Sequence, residues 1–384
     1  MQRLTLTAIL ALLLSSAAFA QSPLVLTIDS GPKTAPSNYE CTAGHSVLTH
    51  LISLQNSLVR YQFRYSGCTD PSHGDLRPSA EGNFGMPEPV PANWYWGGFF
   101  RMTINGQEVT NRKLRDMRAT ESGARGGFQI IWEHPDAEVS MRIILPPASN
   151  HVRALLKWQP LPDKTLKEVK VSLTCYPSFF TNQRKGERHC LTPRTDAKEP
   201  QNLTLEPDKD TFLYYYDTVF DVAKGEGAGP CAAIVAPEAL QSGVVRITNY
   251  PVVTELTLKP DAKEARFCFY DLKGRTNAEA EKYLRTCGAQ DLAELQKEDF
   301  RPLPLQSLKA DALTTESNQL LADAAEEGKA YKPQVEKLLG QITSLKAQAD
   351  AGDWVAEAQL SDTIQSSADL FWKLRAQALL NRTK

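Results

Sequence analysis

The chain has 384 residues, 42% of them hydrophobic and 23% charged, with a formal net charge of −2. Such values suit a globular protein of two or three domains and exclude a general nucleic-acid binder, which needs a marked positive surplus. After the first twenty residues no apolar run is long enough to cross a bilayer as a helix.

The opening "MQRLTLTAILALLLSSAAFAQS" reads as a signal peptide over residues 1–20. Arg3 supplies the positive end, Leu4 to Leu14 the apolar run, and "AFA" the small-x-small site for cleavage after Ala20. A secreted or periplasmic location is therefore expected. Seven cysteines follow: Cys41, Cys68, Cys175, Cys190, Cys231, Cys268 and Cys287. Export permits disulfides, and Cys41 and Cys68 flank one predicted strand and could bridge, but spacing does not fix connectivity. There is no CxxC and no zinc-type pairing, so neither a metal nor a cofactor is expected.

From residue 21 to about 300 the expectation is one β-domain. In "SLVRYQFRYSG" Val59, Tyr61, Phe63 and Tyr65 share a face, with Arg60, Gln62 and Arg64 opposite. The stretch Asp70 to Trp96 is rich in Pro and Gly, too long for a tight turn, and ends in Trp94-Tyr95-Trp96. Loops of that length inside a domain are usually functional. Rings there either plug the end of a core or offer flat apolar faces to a sugar. "FQIIWEHP" follows, with Trp132 and His134 at its end. Val139, Met141, Ile143 and Leu145 then alternate, as do Val152, Ala154, Leu156 and Trp158, and Val169, Val171, Leu173 and Cys175. Strands follow strands with few helical patterns between them, which favours antiparallel sheets, each burying one face and wetting the other.

"LISLQNSLVRYQFRYSG" joins an apolar strand, an Asn at a turn and a second strand ending in Gly. With the following order of "WGGFFRMTING", "FQIIWEHP", "VSMRIILPP" and "HVRALLKWQPL", it resembles galactose-mutarotase-like β-supersandwich domains over about residues 40–275. That resemblance implies a concave sheet face that meets sugars. Epimerase chemistry needs a general acid and base flanking the ring. The six histidines, His45, His50, His73, His134, His151 and His189, contain no local motif for that pair.

Next, "YPSFFTNQRKGERHCLTPR" leaves a strand at Tyr176 and crowds Arg184, Lys185, Arg188, His189 and Arg194 into a loop. Guanidinium groups bind carboxylates and sulfates bidentately, so this loop is a candidate site for an acidic glycan, set against a plain solvated turn. Asp217 and Asp221 lie four apart on a predicted strand, roughly 13 Å, too far to act together as a glycosidase pair.

After Thr276 the period becomes helical, with Thr276 or Asn277 as N-cap. Residues 301–314 read as a linker and 315–384 as a helical hairpin. Its seams are Val335, Leu338, Ile342 and Leu345, then Leu360, Ile364, Phe371 and Leu374. Pro333 marks a kink or the first arm's start, and Gly352 and Asp353 mark the turn. The expected fold class is thus mainly β, a large antiparallel supersandwich followed by a C-terminal helical hairpin. The leading functional expectation is an exported protein that binds carbohydrate, an acidic polysaccharide among the options, through Trp94, Trp96, Trp132, His134, Tyr176, Arg184, Arg188, His189 and Arg194. The alternatives are a polysaccharide-active hydrolase, lyase or epimerase, and a structural protein that self-associates through its helical tail.

Overall fold

The computed structural model describes residues 25–32, 45–79, 82–182, 187–302, 305 and 308–382. The predicted signal peptide, Cys41 and Arg184 lie outside the described residues. In chain order the strands begin β1 (Val25–Pro32), β2 (Ser46–Gln55), β3 (Arg60–Cys68), β4 (Phe84–Glu88), β5 (Phe100–Ile104) and β6 (Gln107–Glu108). They continue with β7 (Leu114–Glu121), β8 (Gly126–Glu133), β9 (Ala137–Leu145), β10 (His151–Pro160), β11 (Val169–Cys175), β12 (Arg188–Leu191) and β13 (Asp196–Lys198). The last are β14 (Gln201–Leu205), β15 (Leu213–Asp217), β16 (Cys231–Val235), β17 (Leu240–Ile247), β18 (Val252–Leu258) and β19 (Glu264–Asp271). A single long helix, α1 (Asn277–Lys297), completes this unit.

The fold is mainly β, with every strand pair antiparallel among the described residues. A nine-stranded sheet runs β13-β12-β15-β16-β19-β10-β9-β8-β7, a six-stranded sheet runs β14-β17-β18-β11-β5-β6, and β1 to β4 form a third. Their inner faces enclose one core. Tyr61, Phe63 and Tyr65 of β3 point into it as the alternation predicts, alongside Val139, Met141 and Ile143 of β9, Val152, Leu156 and Trp158 of β10, and Val171 and Leu173 of β11. Phe63 packs against Phe84, Phe99 and Phe128, with ring centroids 5.0–6.4 Å apart. Burying one such ring is worth about 1.5–3 kcal/mol.

The six-stranded sheet shows the expected wet face: Lys170 on β11 and Glu255 on β18 are exposed. The nine-stranded sheet does not, because β9 and β10 are buried on both faces. Helix α1 is the cause. Thr276 caps it through a reciprocal capping box with Glu279. Its Ala280, Leu284 and Leu295 pack on Tyr214, Ile234, Cys268 and Tyr270 of the outer sheet face.

The chain divides after Phe300 into the β unit and a helical unit. The helical unit holds α2 (Ala310–Asp323), α3 (Ala325–Asp350), α4 (Trp354–Ser366) and α5 (Ala368–Arg382), so the predicted two-armed hairpin is broken into four helices. Helix α3 runs through Pro333, whose position is well inside it rather than at its start. Gly352 takes a φ of 96°, and the Asp353 carboxylate accepts from the N–H groups of Val355 and Ala356, so the turn falls where the capping residues put it. Val335, Leu338 and Ile342 are buried in its seams.

Candidate functional site

Three connections meet at one end of the six-stranded sheet: the loop entering β5, the loop leaving β11 and the turn from β17 to β18. The first is anchored by Trp94, which is wholly buried, donates its indole N–H to the Tyr270 carbonyl at 3.0 Å and meets Phe99, Tyr215 and Phe269 edge-on. Next in sequence, Tyr95 and Trp96 are half-buried. Gly85 of β4 makes room for them: a Cβ there would lie 1.8 Å from the Trp96 carbonyl oxygen. The Tyr95 N–H donates to Thr174 O, and the Tyr176 N–H to Ala92 O, so the first two connections are sewn together.

Beneath them lies a buried polar latch. The Asn93 amide donates to Asp271 Oδ1 at 3.1 Å, and its Oδ1 accepts from the Ser178 N–H at 2.9 Å. Ser178 holds a φ of 68°, and its hydroxyl donates to the Phe220 carbonyl at 2.9 Å. Positive φ costs a non-glycine residue energy, and these bonds are what hold it there.

The product is a contiguous cluster of rings around Tyr176. Tyr250 is 4.8 Å away by ring centroid, Phe180 4.9 Å and Tyr95 5.3 Å, and Trp96 adjoins Tyr95 at 6.3 Å. Tyr250 is 41% exposed, and the neighbouring Phe179 52%. The Arg64 guanidinium sits over the Trp96 ring, 4.4 Å from its centroid, a cation–π contact that covers one face of that ring. Burial, then the nearby Tyr95 and Tyr250 phenols, pushes the Tyr176 hydroxyl up to about 12, so it remains a neutral donor.

The predicted site residues scatter in part. Trp96 and Tyr176 join the cluster, and Arg188 lies behind it, 5.9 Å from the Tyr176 centroid. Arg188 is wholly buried, donates to the Phe179 carbonyl at 2.5 Å and faces Asp217 at 3.5 Å. Its neighbour His189 points to the other sheet face. There its Nδ1 meets Asp196 at 3.0 Å and the Tyr216 hydroxyl at 3.1 Å, with the two rings stacked. The Arg194 guanidinium is engaged by Asp210 and Glu206. Trp94 is a core anchor. Trp132 is buried against Phe84. His134 packs beside the β5–β6 hairpin, at the opposite end of β5 from Trp96. Burial and the nearby Arg112 push it down to about 4. Six strand spacings separate β8 from β12, about 29 Å along the sheet. Trp132 and His134 therefore do not converge with Arg188 and His189, although the sequence reading groups all four as binding residues.

The outer face of the nine-stranded sheet is also filled. On it Arg153 pairs with Glu294 and Glu298, each at 2.5 Å, and Arg125 with Glu121 at 2.6 Å and Glu298 at 2.8 Å. Tyr270 and Tyr283 both donate to Asp291, at 2.9 and 3.2 Å. Helix α1 and the residues just after it supply half of these partners. Asp217 accepts from the N–H groups of Val219 and Phe220, and Asp221 from those of Ala223 and Asn277. Both carboxylates thus stabilise turns.

No protein-family model matches the chain, and no curated protein matches it in sequence. Among solved structures it is similar to a provisionally assigned aldose 1-epimerase from Klebsiella pneumoniae. Identity is 10%, the match covers 72% of this chain and 89% of that one, and the TM-score is 0.38. A second provisionally assigned aldose 1-epimerase, from Escherichia coli, matches at 11% identity over 58% of this chain and 98% of that one, TM-score 0.33. An α-N-acetylgalactosaminidase from Bifidobacterium bifidum matches at 11% identity over 62% of this chain and 39% of its own, TM-score 0.39. The chain spans 34% of another match, a provisionally assigned kojibiose phosphorylase from the human microbiome. The weak resemblance to galactose-mutarotase-like domains has its counterpart in the two epimerases. At these scores the likeness says nothing of chemistry.

Proposed function

We propose that the chain is an exported carbohydrate-binding protein that receives a sugar on the rings around Tyr176. One observation carries this reading: Tyr95, Trp96, Tyr176, Phe180 and Tyr250 form a continuous, partly exposed cluster of edge-to-face rings on loops latched from below. A pyranose presents flat patches of C–H groups that pack on aromatic faces, while its hydroxyls need donors and acceptors at the rim. Tyr hydroxyls supply both. Latching limits the entropy lost on binding. Arg188 on β12 and Arg194 in the turn after it are engaged in internal pairs. A preference for acidic glycans is assigned instead to Arg184 and Lys185, outside the described residues.

A glycan array with the mature protein tests the proposal. Tyr250→Ala and Trp96→Ala should each weaken a positive glycan about tenfold, roughly 1.4 kcal/mol. Affinity unchanged in both, or no glycan bound at millimolar concentration, refutes it. The helical unit is proposed to serve self-association, because α5 exposes Trp372, Leu379 and Leu380. Removal of residues 315–384 should then lower the number of chains per particle, read as mass in solution divided by chain mass, and an unchanged number argues against that role. No helix among the described residues is long and apolar enough to cross a membrane.

A further inference from the structure

The open end of the β2–β3 hairpin gathers a different set of side chains. His45 directly precedes β2 and Cys68 ends β3, and the pairing of Val47 with Cys68 brings the two together. Two residues on, Asp70 caps the short 3-10 turn Pro71–His73, which returns His73 to the same place. His45 Nδ1 lies 3.6 Å from Cys68 Sγ, and the His45 and His73 rings meet at 5.6 Å between centroids. Ligand atoms of His45, Cys68 and His73 all fall within 4.8 Å of one another.

We propose that these three residues bind a Zn2+ ion, leaving its fourth position to water or a ligand atom. The donor set is one thiolate and two imidazoles, which suits zinc and rejects hard ions such as Mg2+ and Ca2+. Tetrahedral zinc with ordinary bond lengths sets its donors roughly 3.3–3.6 Å apart. The His45–Cys68 separation already meets this, and His73 need close by only about 1 Å from the observed spacing. His73 Nε2 is buried and has no hydrogen-bond partner, an imbalance that a metal bond removes.

The second shell is in place as well. With Nδ1 of His45 turned to Cys68, its Nε2 lies 3.4 Å from Asp70 Oδ2. Asp70 is itself fixed by the N–H and hydroxyl of Ser72, at 2.9 and 2.5 Å. A carboxylate behind a ligating imidazole fixes its tautomer and strengthens it as a donor. Cys68 is 1% exposed, so the site is sheltered on the side of the sheet, whereas the His45 side chain is 23% exposed and leaves an approach for the ion.

The test uses the full mature chain, purified without a polyhistidine tag under reducing conditions, then stripped and reloaded. One Zn2+ per chain should survive gel filtration in the presence of excess Mg2+ and Ca2+. Co2+ in its place should give a thiolate charge-transfer band with intense tetrahedral d–d absorption. Cys68→Ser should abolish that band, His73→Ala should weaken zinc by more than tenfold, and Asp70→Asn by about 10- to 100-fold. Cys287→Ser should change nothing, with circular dichroism confirming each fold. If Cys68→Ser does not fold, His73→Ala on its half-exposed turn carries the test. Failure to retain zinc, a charge-transfer band that survives Cys68→Ser, or retention of Cu+ but not Zn2+ overturns the assignment. So does a Cys41–Cys68 disulfide in the exported chain.

Discussion

Asp271 is the carboxylate on which the ring-bearing loops hang, and its titration is measurable. It is fully enclosed at the end of β19, where Oδ1 accepts from the Asn93 amide and from the Lys273 N–H at 3.0 Å. Burial dominates and raises it from 3.8 to about 7, against the pull of the Asn93 amide and two backbone N–H groups. A carboxyl raised in the fold favours the native state below its unfolded value, and that advantage is lost as pH rises through the folded value. Between 3.8 and about 7 the unfolded chain gives up the proton first, and the accumulated loss is on the order of 4 kcal/mol. Asp271→Asn keeps an acceptor for Asn93 and cannot ionise. Whatever constant offset the new amide brings cancels when two pH values are compared. Relative to the parent chain, the variant should therefore gain about 4 kcal/mol on going from about pH 4 to pH 8. Urea unfolding followed by near-ultraviolet circular dichroism of the β unit reads this difference. A difference that stays flat across that range refutes the reasoning.

His151 titrates in the opposite sense. Burial, with Arg153 nearby, pushes it from 6.5 down to about 3, so its contribution is present above 6.5 and lost as pH falls towards 3. In the parent chain the two slopes oppose each other between about pH 4 and 6.5. Replacing His151 with Phe should expose the falling Asp271 limb in the same unfolding series, and an unaltered profile would count against both. Asn93→Ala strips the Ser178 N–H and Asp271 of their shared partner, so a loss of about 3 kcal/mol and of glycan binding is expected, read by unfolding and by the array. Glu298→Ala removes a carboxylate shared by Arg125 and Arg153, both buried. Each keeps a second acid, so a cost near 3 kcal/mol is expected rather than 5, with glycan affinity unchanged.

Much of the β unit is legible in the sequence because period-two alternation reports burial on a face directly. The alternation reproduces the buried face of β11 throughout and that of β3 from Arg60 to Tyr65. The same pattern misleads on β9 and β10. Their second faces read as polar or mixed, with Arg142, Arg153 and Ser140, yet they are buried. The reason is that α1 and the residues just after it bring Glu294 and Glu298 to Arg153 and the Phe300 carbonyl to Arg142, pairings across about 141–158 residues that no local pattern carries. Likewise Pro333 and the length of the helical pattern do not announce that its arms are each split in two.

The candidate site was legible only where chemistry and packing coincide. Trp96 and Tyr176 read as ring-bearing loop residues and lie in the cluster, while Tyr250 could have been found by noting an aromatic in the turn "TNYP" between two strand patterns. Arg188 and His189 are adjacent in sequence, so strand geometry alone sends them to opposite faces of β12. A single pocket holding both was excluded as soon as that stretch was extended. The His45, Cys68 and His73 grouping escaped for a complementary reason. Its spacings of 23 and 5 residues match no zinc pattern, because a hairpin's closure rather than a local loop brings the donors together. Strand registration is therefore the missing step in both cases: it separates residues that sequence joins and joins residues that sequence separates.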